Sequence, residues 1–239
     1  MVTQLLFGEI YTVLDKMNGW LLIQSEPDQY EGWIDEKILC PVDETYVGLY
    51  KNGPSVLLDE TVAEVVSENN GNTQFLVRGS TLPLFNKGQF NMNGQVYRTK
   101  GKTLSIRNKP DPHNLVPTAM KYLQSPYLWG GRSPFGIDCS GFVHAVFRFC
   151  GYTLPRDASQ QVKLGEGIDF ISAVQPGDLA FFENSNGAIS HVGILLSPQQ
   201  IIHASGSVRI DPIDHQGIFS QQAGKYTHSL RIIKRIPVS

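Results

Sequence analysis

Hydrophobic positions along the chain follow two regimes. Up to about residue 105 they come in short runs broken by turn residues. Leu5-Leu6-Phe7-Gly8-Glu9-Ile10-Tyr11-Thr12-Val13-Leu14 is strand-like, Lys16 to Gly19 supplies a turn, Trp20-Leu21-Leu22-Ile23 makes a second strand and Tyr30-Glu31-Gly32-Trp33-Ile34 a third. A second strand-rich block runs from about Tyr46 to Leu104. In it Thr61-Val62-Ala63-Glu64-Val65-Val66 and Gln74-Phe75-Leu76-Val77 flank the turn Asn69-Asn70-Gly71-Asn72, and Leu82-Pro83-Leu84-Phe85 and Gln95-Val96-Tyr97-Arg98 follow. Short strands punctuated this way predict two small all-β barrels, one over residues 1–43 and a more divergent one over 44–105.

Beyond residue 105 the period changes. Ile106-Arg107-Asn108-Lys109-Pro110-Asp111-Pro112-His113 reads as a linker, and Asn114 to Leu123 as a helix stopped near Pro126. Apolar residues then recur at Phe142, Val143, Val146, Phe147 and Cys150, a helical spacing. Asp178-Leu179-Ala180-Phe181-Phe182, His191 to Leu196, Gln200 to Ala204, Val208-Arg209-Ile210 and Leu230-Arg231-Ile232-Ile233 are strand-like. Ser197-Pro198-Gln199 is a turn, so the runs on either side of it form a hairpin. Helices first and then an antiparallel sheet predict an α+β domain over 106–239.

Composition narrows the function classes. The 239 residues carry a formal charge of −2 with 18% charged residues, which leaves no basic footprint for nucleic acid. No apolar run approaches the roughly 18 residues of a membrane span. The start Met1-Val2-Thr3-Gln4 lacks the basic and apolar regions of a signal peptide. Three cysteines, Cys40, Cys139 and Cys150, suggest no disulfide framework and are too sparse for structural zinc.

The candidate chemistry centres on Asp138-Cys139-Ser140-Gly141-Phe142. Asp138 is a good N-cap, which puts Cys139 in the first helical turn. There the helix dipole and unpaired N–H groups favour a thiolate, so Cys139 is expected to be alkylated faster than Cys40 or Cys150. A nucleophilic thiol needs a base, and the base an orienting partner. His191 and His203, on successive strands of the hairpin, supply both. The other reading of Cys139 is a buried core residue. His113, His144, His215 and His228 have no motif around them and are expected at the surface.

Pro126-Tyr127-Leu128-Trp129-Gly130-Gly131 through Gly141, Leu154-Pro155-Arg156-Asp157, Gln175-Pro176-Gly177-Asp178-Leu179, Ser190-His191-Val192-Gly193 and Ile202-His203-Ala204 resemble the NlpC-type peptidases, papain-like enzymes that cut cell-wall peptides. The resemblance implies a catalytic triad of Cys139, His191 and His203, with Tyr127 beside the nucleophile to help stabilise the oxyanion. The Gly19-Trp20 and Glu31-Gly32-Trp33 pairs resemble bacterial barrels of the Src-homology-3 type. That family places a strand before Val2-Thr3-Gln4, so the first barrel is expected to be truncated or incomplete.

Two barrels ahead of such a peptidase are similar to γ-D-glutamyl-L-diamino-acid endopeptidases that process free murein peptides. This similarity implies that the first barrel closes one end of the groove. It also implies that Glu9 and Tyr30 read the free amine of L-alanine, and that Trp129, Asp138 and Ser140 touch substrate. Relatives carry a Ser directly after the Arg-Asp pair. Here Ala158 follows and Ser159 comes next, so Ser159 substitutes from a shifted position or the contact is absent. Arg156 either binds a substrate carboxylate or pairs with Asp157. The implied partner is a murein peptide, L-Ala-γ-D-Glu-L-diamino acid, with no metal or organic cofactor. Cytoplasmic recycling is the expected setting, or the periplasm if a signal peptide precedes this chain. A hydrolase of intact peptidoglycan with the barrels as wall anchors, a non-catalytic wall-binding protein and a transferase remain alternatives. The sequence is silent on oligomeric state and on the diamino acid.

Overall fold

In a computed structural model the described residues are 1–106 and 109–237. Arg107 and Asn108 of the expected linker lie outside them. The chain divides into two compact units, residues 3–106 and residues 107–239 with 1–2.

The first unit is built from three antiparallel sheets and a helix. Strands β1 (Tyr11–Met17), β2 (Trp20–Ser25) and β3 (Glu31–Asp35) form one sheet in that order. Helix α1 (Glu44–Asn52) follows, capped by the Asp43 side chain on the Tyr46 N–H. Then come β4 (Val56–Leu58), β5 (Val62–Ser67), β6 (Thr73–Val77), β7 (Thr81–Leu82), β8 (Gln89–Met92), β9 (Gln95–Thr99) and β10 (Thr103–Ser105). They pair as β10-β4-β7 and β6-β5-β9-β8. Val56, Leu58, Ala63, Val65, Leu76, Leu82 and Phe90 make the core.

No sheet among the described residues of this unit closes into a barrel. Two local expectations also need correction. The first strand begins at Tyr11, not Leu5, because Gly8 takes a left-handed turn (φ +80°) pressed against the Thr81 carbonyl, where a Cβ has no room. The block from Tyr46 opens on a helix, which Asp43 starts.

The second unit is α+β. Helix α2 (Leu115–Met120) leads to the short hairpin β11 (Arg132–Ser133) and β12 (Gly136–Ile137), then α3 (Cys139–Phe149) and α4 (Ala158–Gln161). Strands β13 (Glu166–Ile168), β14 (Leu179–Glu183), β15 (Ile189–Ser197), β16 (Gln200–Ser205), β17 (Ser207–Pro212), β18 (Gly217–Ser220) and β19 (Lys225–Arg235) form one seven-stranded sheet. Its order is β13-β19-β14-β15-β16-β17, with β18 on β19.

Both faces of β14 are covered. Leu179 and Phe181 join the core with α3, and Ala180 and Phe182 join the core on the other face, which is why the strand reads as an unbroken apolar run. The Gln175-Pro176-Gly177-Asp178-Leu179 motif has a structural role: Asp178 takes bonds of 2.8 and 2.7 Å from Arg235, tying the start of β14 to β19.

Candidate active site

Cys139 is the first residue of α3 and is 8% exposed. Asp138 caps the helix through a 2.6 Å bond from the Gly141 N–H. Its other oxygen accepts from Gly130 N–H at 2.8 Å. Arg156, 1% exposed, closes the cluster with bonds of 2.9 and 2.7 Å to the two oxygens of Asp138 and a third of 2.9 Å to the Ser140 hydroxyl. Four short bonds fill the lone-pair sites of the carboxylate. Arg156 therefore pairs with Asp138, an arrangement neither expectation for it contained. Gln161 fixes α4 to the same helix end through the Ser140 and Pro155 carbonyls.

The backbone N–H groups of Val192 and Ser140 are near enough to the Cys139 sulfur to favour its ionised form. Burial and the adjacent Asp138 carboxylate push its thiol up to about 11, against the opposite pull of those N–H groups and Arg156. The helix start does offer N–H groups, but removal from water and a neighbouring anion outweigh them.

Val192 is the residue after His191 on β15, so the thiol sits beside the strand that carries the first imidazole. His191 is 6% exposed, and its Nε2 lies 2.8 Å from His203 Nδ1. His203, 1% exposed, places its Nε2 3.0 Å from Asp211 Oδ2 on β17. The other Asp211 oxygen accepts from Arg209 at 2.8 Å. Close approach of the strands depends on Gly193, where a Cβ would sit 2.8 Å from that of His203.

A third imidazole completes the array. The ring of His228, from β19, lies 4.2 Å from that of His191 at 32°, and Phe182 abuts both. Burial holds His191 well below the usual imidazole range, helped by His203 and His228. Burial likewise lowers His228, to about 4. Burial pushes the Asp211 carboxyl up, but its bonds from His203 and Arg209 bring it down overall.

The remaining predicted residues are distributed unevenly. Tyr127 is half-buried, and burial followed by the charges of Cys139 and Asp138 raises its phenol, so it stays a donor at neutral pH. Trp129 is 69% exposed. On α4 it is Ala158 that is buried, and Ser159 is exposed. Glu9 and Tyr30 belong to the first unit. Glu9 is 8% exposed and accepts from the Leu6 N–H at 2.9 Å, so it is a buried carboxylate before β1 and not a solvated strand charge. Tyr30 is half-buried, and its N–H donates to Asp28.

His113 and His215 are exposed as expected, whereas His144 is buried and His228 half-buried. Sequence reasoning missed Asp211 and His228. The signal was strand alternation: Arg209 and Asp211 flank Ile210, and His228 falls two residues from Leu230. Among the described residues no group of three or more His, Cys, Asp or Glu side chains is arranged to hold a metal ion.

Residues 124–227 match the NlpC/P60 family, and residues 1–39 match the bacterial dipeptidyl-peptidase Sh3 domain. A γ-D-glutamyl-L-lysine dipeptidyl-peptidase from Bacillus cereus is 31% identical over 247 residues, covering 93% of this chain and 73% of that protein. A protein of the same description from Bacillus subtilis is 30% identical over 217 residues, covering 84% of this chain and 71% of its own. The crystal structure of an NlpC/P60 family protein from Bacillus cereus matches with a TM-score of 0.84 at 27% identity, over 98% of this chain and 82% of that one.

Proposed function

The chain belongs to the NlpC/P60 family of cysteine peptidases, and from that premise we propose that it hydrolyses the γ-D-glutamyl-L-diamino-acid bond of free murein peptides that begin with an unblocked L-Ala, in cell-wall peptide recycling. The observation that carries the reading is Cys139 at the start of α3 together with the chain of contacts from His191 through His203 to Asp211 on the sheet that α3 packs against. The names of the two Bacillus relatives favour L-Lys as the diamino acid.

In this mechanism the thiol of Cys139 gives its proton to His191 as sulfur attacks the γ-carbonyl of D-Glu. A raised thiol and a lowered imidazole favour a neutral resting pair, with proton transfer accompanying attack. Nε2 of His191 is engaged by His203, which leaves Nδ1 to receive the proton. The Tyr127 hydroxyl and a backbone N–H at the helix start stabilise the oxyanion. His191 then protonates the leaving amine, and a thioester of L-Ala-γ-D-Glu on Cys139 remains. Water attacks that thioester, His191 takes its proton, and the sulfur is expelled and reprotonated.

Trp129, Ser140 and Ser159 are the proposed substrate contacts of this unit. Asp138 joins them through its backbone, since its carboxylate is filled. Glu9 and Tyr30 are proposed to read the ammonium group. A carboxylate and a phenol oxygen both accept hydrogen bonds from a cation. Free and N-acetylated L-Ala-γ-D-Glu-L-Lys, digested in parallel and analysed by mass spectrometry, test the proposal. Preference for the free peptide is expected. Equal cleavage of both would move the assignment to a hydrolase of intact peptidoglycan.

A further inference from the structure

Beyond Cys139, His191 and His203, we propose that Asp211, held by Arg209, is a positioning residue that fixes the tautomers of both imidazoles and so leaves Nδ1 of His191 as the unprotonated base. The inference rests on the peptidase reading for its effect on rate, but not for the tautomers themselves.

The protons of the two rings are fixed one after the other along this chain of contacts. An ionised carboxylate only accepts, so the 3.0 Å contact to Asp211 Oδ2 requires a proton on His203 Nε2. A neutral imidazole carries one ring proton, so His203 Nδ1 presents a lone pair. The 2.8 Å contact from there to His191 Nε2 then requires the proton on that nitrogen. His191 Nδ1 is left bare.

We take His203 as the neutral ring because the charge of Asp211 is already matched by Arg209, at 2.8 Å. A second cation, 1% exposed and facing the rings of His191 and His228, would stand uncompensated. The lowered carboxyl of Asp211 agrees with its ionised state.

Strand register builds this arrangement. His203 pairs directly with Arg209, and Ile201 with Asp211. Residues two apart share a face, so His203, Arg209 and Asp211 lie together on the sheet, with Asp211 diagonal to the imidazole it holds. Arg209 grips the oxygen that His203 does not use, which prevents the carboxylate from turning away.

The Arg209 grip makes an isosteric substitution informative. In Asp211→Asn, Arg209 keeps the amide oxygen, so the amide NH2 faces His203 Nε2 and donates to it. The proton of His203 must then move to Nδ1, and that of His191 to its own Nδ1, where it blocks the base. Adding Arg209→Leu frees the amide to rotate and present its oxygen again.

The test records 15N spectra of histidine-labelled protein, with kcat and KM on L-Ala-γ-D-Glu-L-Lys. In the unmodified protein both rings should carry the proton on Nε2. Asp211→Asn should reverse both tautomers and lower kcat on the order of 100-fold or more, as a wrong tautomer does in a Ser-His-Asp triad, with little change in KM. Asp211→Asn with Arg209→Leu should recover the tautomers and about a tenfold share of the rate. Protons on Nδ1 in the unmodified protein would overturn the inference, as would Asp211→Asn with unchanged tautomers. If the peptide is not cleaved while the tautomers are as stated, the peptidase reading fails and the positioning role of Asp211 stands.

Discussion

The two halves of the candidate site are built in opposite ways. The helix end around Cys139 is held by charge: a buried Asp138–Arg156 pair, with bonds from Gly130 and Gly141, all within residues 130–156. The imidazole array stacks and hydrogen-bonds ring to ring, with an Asp211–Arg209 pair at its far end, and is assembled by β14, β15, β16, β17 and β19. The difference assigns the work. The charges at the helix end fix the position of the sulfur, but Asp138 opposes its ionisation. In the proposed mechanism, activation of Cys139 therefore has to come from the array. Stability should depend mainly on the first half and rate mainly on the second.

The sharpest way to break this division is Arg156→Met. It leaves a buried carboxylate without its cation and should destabilise the peptidase unit by about 3–5 kcal/mol, read as a shift in the denaturant midpoint. Adding Asp138→Asn should return part of that loss, since the uncompensated charge is gone. Arg156→Met with an unchanged midpoint would show that the helix end is not held by this pair.

The converse change is His203→Gln. Turnover should fall by roughly 10–100-fold, as expected for a disturbed base, while the midpoint moves by less than about 1 kcal/mol. Loss of His191 should cost more rate than this. Equal losses from the two would mean that His203 does more than orient its neighbour.

Acid sharpens the comparison further. His191 and His228 have folded pKa values below the unfolded value of about 6.5. Their contribution to stability is complete above that pH and is lost as pH falls through the folded values, about 4 for His228. The melting temperature should drop between those limits, and His228→Phe should flatten the drop. An unaltered slope in that variant would show that the ring of His228 is not held neutral.

The smallest effect concerns the thiol itself. With a value pushed up to about 11 and 8% exposure, Cys139 in the free protein should react with iodoacetamide at neutral pH more slowly than exposed Cys40. Its rate should climb with pH towards that value. This reverses the order suggested by the helix start alone.

The same contrast explains what the sequence disclosed. Asp138 capping a helix that begins at Cys139 was legible because capping is local, set by residues three apart. The hairpin of β15 and β16 was legible from its turn. The partners of Arg156 and His203 were not, because they depend on tertiary contacts and strand register. Asp138 lies 18 residues before Arg156, and Asp211 reaches His203 only through the pairing of β16 with β17. In the first unit the strands β2, β3, β5, β6 and β9 followed from alternation and turns. Helix α1 was overlooked even though Asp43 precedes apolar Tyr46, Val47, Leu49 and Tyr50 at helical spacing. Closure of strands into a barrel is a property of long-range pairing that alternation does not encode.

In the proposed reaction Cys139, activated by the array, cuts the γ-D-glutamyl bond. The most direct measurement is mass spectrometry of the products of L-Ala-γ-D-Glu-L-Lys with the unmodified protein and with Cys139→Ala. L-Ala-D-Glu and free lysine are expected from the first and intact tripeptide from the second. Cleavage at another bond, or undiminished release of lysine by Cys139→Ala, would contradict it.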